Sequence, residues 1–250
     1  LWHEQMVERH PGSVRAVVGL GNQYLSKGMV AEGRDLYSRL AARYPEEIYP
    51  RLKLLALRAC VLHEPVGESA WREILTVAGE GEAERYGVTE EVIAIASAVA
   101  GGDCRPLDAD RLIQLVVTLA LNPAFRDTRA NLHEIAARLG VVTGDAGVAY
   151  HNVMEAVTLS PTVPRQFLKT RILLALGREE EARGSLASLV AVIDGSPVMK
   201  LAYGKRLEQL QAEEGKAGFG VHRRGPRALL VVGKMHEIKL PAWAAVPLPM

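Results

Sequence analysis

Two interior glycines, Gly21 and Gly33, constrain this chain most, because both fall in segments whose apolar spacing is helical. From Ser13, apolar or small residues recur at Val14, Val17, Val18, Gly21, Tyr24 and Leu25, one face of a helix of period 3.6. Pro11 and Gly12 break the chain ahead of this run, and Ser13 is a natural N-cap. A second helix follows Gly28, with Met29, Gly33, Leu36, Tyr37 and Leu40 inward, until Pro45 closes it. An interior glycine costs a helix about 1 kcal/mol relative to alanine. Two of them need a compensating reason. Close approach of two antiparallel helices supplies it, since a residue without Cβ lets the backbones touch.

The same letters exclude a nucleotide site. A dinucleotide fingerprint needs G-x-G-x-x-G between a strand and a helix, and Tyr24 stands where the third glycine belongs. The VVGK run ending at Lys234 fails as a phosphate loop, because Met235 replaces the required Ser or Thr.

Val17, Leu20-Gly21, Tyr24, Gly28, Gly33, Tyr37 and Pro45 together resemble the tetratricopeptide repeat, in register, with Val17 for its usual Trp and Gly33 for its usual Ala. A single repeat cannot bury its apolar face, so further copies are expected at a period of about 34 residues. One runs from Arg129 to Pro161, with Ala136, Ala137, Gly144, Ala149, Val153 and Ala156 in register. The next runs from Arg165 to Pro197, with Gly177, Ala182, Leu186 and Leu189. Arg51 to Gly79 is a degenerate copy, with Ala70, Ile74 and Val77 in its second helix. A helix capped by Thr89 and another ending at Pro123 make a weaker pair.

The resemblance implies an all-α fold, a right-handed superhelical solenoid of antiparallel helix pairs over residues 1–214. Its parts are an orphan second helix at 1–11, a clear repeat at 12–47, degenerate pairs at 48–128, two further repeats at 129–195 and a capping helix at 196–214. Residues 215–250 form a separate tail: proline-containing, apolar, β-prone at Ala228 to Val232, and basic through Lys216, Arg223, Arg224, Arg227, Lys234 and Lys239 against Glu237 alone. Such an apolar run is expected to dock onto the last helices, the alternatives being a hairpin laid on the solenoid or a disordered end.

Composition fits helices. Aromatics make up 5% of the chain while helix formers dominate, and no apolar run approaches the ~18 residues that cross a bilayer. The net charge of +1 argues against nucleic acid as a partner. Cys60, among Leu55, Leu57 and Val61, and Cys104, in GGDCRP, are too far apart in sequence to suggest a metal or redox pair. They are expected to be a small buried residue and an incidental thiol. The compartment stays open.

No catalytic constellation emerges. The histidines at 3, 10, 63, 133, 151, 222 and 236 form no HExxH, since Ala137 stands where His133-Glu134 would need its second histidine. His133 and His151 are expected to be ordinary helical residues. Acidic runs such as REEEAR are expected on solvated faces. Neither a cofactor nor a metal is expected.

Binding remains, and the resemblance implies where. First helices of such repeats line a groove for a partner peptide or helix, which puts Arg15, Val18, Asn22 and Leu25, then Asn131, Glu134, Arg138 and Val141, then Phe167 and Arg171 on the groove. Arg, Asn and apolar residues together suit a peptide with acidic and apolar side chains. Asn22 matches the asparagine that holds a peptide carboxylate in chaperone-type members, although the clamp lysine is replaced by Val18. The function implied is a non-catalytic protein–protein interaction scaffold. The opening LWHEQMVERHPGSVRAVVGLGNQYLSKG also resembles the repeat domains that follow polytopic membrane regions in bacterial glycosyltransferase-type proteins, where a helix beginning Leu-Trp leads into the first repeat, which would make the chain a soluble accessory domain of an enzyme with its active site upstream. In either case, Leu1, Trp2, Met6 and Val7 form an apolar stripe expected to support self-association.

Overall fold

A computed structural model describes residues 2–9, 13–80, 87–101, 104 and 107–217. All regular structure among them is helical. They fall into two compact units that meet in sequence at Arg126 and Asp127. The basic tail lies outside the described residues beyond Ala217, as does its expected β-prone run.

The first unit holds α1 (Trp2–Arg9), α2 (Val14–Ser26), α3 (Val30–Arg43), α4 (Ile48–Ala56), α5 (Glu68–Glu80), α6 (Val88–Gly101) and α7 (Ala109–Leu121). Ser13 caps α2 by accepting from the Ala16 amide at 3.3 Å. Gly28 ends it with φ +75°. The Met29 amide donates to the Tyr24 carbonyl at 2.9 Å and the Gly28 amide to the Leu25 carbonyl at 3.0 Å. That pair of bonds is a Schellman motif, which a residue with positive φ makes possible. The chain then returns as α3, packed on α2.

Both interior glycines lie on this seam. A Cβ built on Gly21 would fall 2.6 Å from Tyr37 Cζ, and one on Gly33 would fall 2.6 Å from Leu25 Cδ2. Tyr37 therefore lies across α2 with its ring fully buried. The compensation expected for two helix-breaking residues is present.

α4 packs on α3, α5 and α6, and α7 packs on α5 and α6. Asp108 caps α7 through the Asp110 and Arg111 amides. Thr89 was expected to cap α6, but that helix already begins at Val88, so Thr89 lies buried within its first turn. α4 continues through a π-helical turn, Leu57–Val61. There the Leu62 amide reaches back to the Leu57 carbonyl at 2.9 Å.

Here the structure corrects the reading of the cysteines. Cys60 in the π turn and Cys104 in the connection after α6 form a disulfide, with Cα atoms 4.2 Å apart although the two residues stand 44 positions apart in sequence. Distance along the chain misled because α4 and α6 lie side by side. Lys53 meets Glu91 near the start of α6 and Cys60 meets Cys104 just past its end, so the two helices run in the same direction.

The second unit begins with α8 (Arg129–Thr143), α9 (Ala146–Leu159), α10 (Val163–Ala175), α11 (Glu179–Asp194) and α12 (Pro197–Ala217), each packed on the next. α10 also touches α12. Gly144 and Gly177 take positive φ at the two turns. Around Gly177 the Schellman bonds recur, from the Arg178 amide to Leu173 and from the Gly177 amide to Leu174.

Each seam is solved with different small residues. Between α8 and α9, Gly140 lies against the backbone of Ala149, where a Cβ would be 2.7 Å from the Ala149 nitrogen. Between α10 and α11, the buried hydroxyls of Thr170 and Ser185 bond at 2.7 Å. Ala137, Ala149, Val153 and Ile172 form one apolar cluster; Phe167, Leu173, Leu186, Leu189, Ile193, Leu207 and Leu210 help to form the next.

Candidate functional site

The residues expected on the groove divide sharply by burial. Val18 and Phe167 are enclosed in the cores of their own units and present no surface to a partner. Both lie on helices, α2 and α10, with their side chains turned into the packing between helices. Leu25 is half-buried against Gly33. The side chain of Arg15 lies outside what is described.

Asn22 is tied into the first unit. The Tyr37 hydroxyl donates to Asn22 Oδ1 at 2.9 Å, with the Val18 carbonyl also in reach at 3.2 Å, while Asn22 Nδ2 points to the Tyr49 hydroxyl at 3.5 Å. Burial, with Tyr49 and Glu91 nearby, pushes the Tyr37 hydroxyl far above the usual phenol range. Burial also raises Tyr49, against the opposing pull of Lys53. Lys53 Nζ stands 2.5 Å from Glu91 Oε2. Burial works against the Lys53 ammonium, but the Glu91 carboxylate and Tyr49 outweigh it and hold its pKa above the ordinary lysine value. This network holds α2, α3, α4 and α6 together, and it engages both the carbonyl and the NH2 group of the Asn22 amide.

The second unit brings the expected polar residues together. Glu134 of α8 accepts from Arg138 at 2.6 and 3.1 Å through Oε1 and from Arg165 at 3.0 Å through Oε2. Arg165 also donates to Asn131 Oδ1 at 2.5 Å and to the Ser160 carbonyl at 2.9 Å. Arg171, further along α10 from Arg165, donates to Glu213 of α12 at 3.2 Å. Arg165 is only 5% exposed, whereas Asn131, Glu134, Arg138 and Arg171 are part-exposed. Part-exposed polar side chains thus lie on α8 and α10, with Asn131 and Glu134 bonded to the buried Arg165 guanidinium and Arg171 bonded to Glu213.

Arg165 was absent from the expected set. A signal for it does exist in the sequence, as Pro-Arg occurs at the start of α4 (Pro50-Arg51) and again at the start of α10 (Pro164-Arg165). Arg51 is equally buried and repeats the chemistry, donating to the Glu47 carbonyl at 2.9 Å and to Glu73 at 2.9 Å. Proline is well placed in a first helical turn, and the arginine after it reaches back to carbonyls of the preceding turn.

His133 is buried, and its Nδ1 lies 2.9 Å from Asn152 Oδ1. An amide oxygen only accepts, so Nδ1 is the donor in this contact. Nε2 is left buried without a partner among the described residues. His151 is exposed. Among the described residues no His, Cys, Asp and Glu gather into a metal-binding cluster, and no helix is long and apolar enough to cross a membrane. Of the stripe expected to self-associate, Met6 and Val7 are half-buried, while Leu1 and the Trp2 side chain lie outside the description. No protein-family model and no curated protein sequence matches the chain.

Proposed function

We propose that this chain is a protein–protein interaction scaffold of tetratricopeptide-like helix pairs, arranged as a right-handed solenoid and without catalysis of its own. The supporting observation is the row of part-exposed Asn131, Glu134, Arg138 and Arg171 on the first helices α8 and α10. Charged side chains held by Arg165 and Glu213 lose little freedom when a partner arrives, which favours binding. The small-residue seams and positive-φ turn glycines support the repeat assignment. The partner is an extended peptide or helix with acidic side chains for Arg138 and Arg171, and apolar ones between them.

A displayed random-peptide library panned on the full chain tests this. Recovered peptides should be rich in Asp and Glu. Their affinity should fall roughly tenfold or more for the Arg138→Gln/Arg171→Gln variant, since a charge-assisted hydrogen bond is worth about 1.5–3 kcal/mol. Far-ultraviolet circular dichroism should be unchanged. Peptides that bind both proteins equally would remove this surface from the proposal.

A further inference from the structure

Cys60 and Cys104 are the only cysteines of the chain, and they are bonded to each other, so no thiol is left over. Cys104 is 1% exposed and Cys60 is half-buried. A redox-active dithiol needs an accessible, readily ionised sulfur. This bond, with Cys104 fully enclosed, serves a different purpose. It fastens the π-helical end of α4 to the connection following α6, while the Lys53–Glu91 pair fastens the same two helices near the other end of α6. Residue 104 is thereby fixed against the π-helical end of α4.

Such a bond also carries information about place. Reducing systems of the cytosol keep thiols reduced, whereas exported proteins meet dedicated thiol oxidants. We infer that Cys60 and Cys104 are oxidised as the chain folds in an exported, oxidising compartment, by exchange with a protein-borne disulfide, and that the first unit works in that compartment.

The chemistry balances in two exchanges. The Cys60 thiolate, from the more exposed partner, attacks one sulfur of the oxidant's disulfide. A mixed disulfide forms and the oxidant's other sulfur leaves as a thiolate. The Cys104 thiolate then attacks Cys60 Sγ, the intramolecular bond forms, and the oxidant departs as a dithiol. Two protons and two electrons pass from the chain to the oxidant.

The inference is independent of the proposed binding function, because its readout is thiol chemistry. Cells that make the natural protein are quenched in acid and treated with a thiol-alkylating reagent under denaturing conditions, and the full chain is weighed. The expected mass carries no alkyl group before reduction and two after it. Two alkyl groups before reduction would overturn the inference. Purified exported chain should also yield a linked pair of peptides containing residues 60 and 104, and its melting midpoint should drop when reductant is added. The Cys60→Ser/Cys104→Ser variant should melt lower and no longer respond to reductant. A wild-type midpoint indifferent to reductant would show that the bond does not hold the unit.

Discussion

The phenol ring of Tyr37 occupies the space where Gly21 would carry a side chain, 2.6 Å from an ideal Cβ to Tyr37 Cζ. A second constraint holds that ring in place, since its hydroxyl donates to Asn22 Oδ1. It cannot swing aside without breaking a bond made in a buried setting. Gly21→Ala should therefore cost about 1–3 kcal/mol, the range for overpacking. Gly28 is the opposite case, with open space around it but φ +75°. Gly28→Ala should cost about 1–2 kcal/mol through backbone strain alone. Urea denaturation of both variants checks this, and adding Tyr37→Leu should rescue the first but leave the second unchanged.

Alkaline pH should unfold the first unit through Lys53, Tyr49 and Tyr37. Folding raises the pKa of each, so each contributes its full stability below the unfolded-state values, about 10 for tyrosine and about 10.4 for lysine. That contribution is lost as pH rises from there through the folded-state values. Denaturation midpoints measured from pH 8 to 11.5 should be flat at first and then fall steeply beyond about pH 10. Glu91→Gln should be destabilising even on the flat part, by about 3–5 kcal/mol, because it strands a largely buried ammonium. An equal midpoint for this variant and the parent at pH 8 would contradict the ion pair.

Glu134 should matter to stability far more than Arg138, although the two are bonded. Removing Glu134 leaves Arg165 buried and without its carboxylate. Glu134→Ala should cost about 3–5 kcal/mol. Arg138 is the more exposed partner, and Arg138→Gln should cost under about 1 kcal/mol. Thermal unfolding of the two variants separates them, and it also shows whether the binding test at Arg138 reads recognition or folding. Comparable losses would mean that Arg165 finds its support elsewhere.

Local chemistry made much of this protein legible in its sequence. Helices α2, α3 and α8 to α12 follow from apolar period, from Ser13 as a cap, and from glycines at the turns, all of which act within a few residues. Gly21 and Gly33 even disclosed a tertiary fact, because a residue that harms its own helix implies a close neighbour. Pairings between helices distant in sequence were not legible. Cys60 with Cys104, Lys53 with Glu91, and Glu134 with Arg165 depend on which helices abut and at what rotation. Periodicity specifies that a face is buried but not the element that buries it. Val18 and Phe167 show the same limit, since a rotation of one helix position separates a groove from a core. Sequence alone determined the helices and their turns; packing decided which charges are buried, which cysteines meet and which polar side chains on α8 and α10 remain part-exposed.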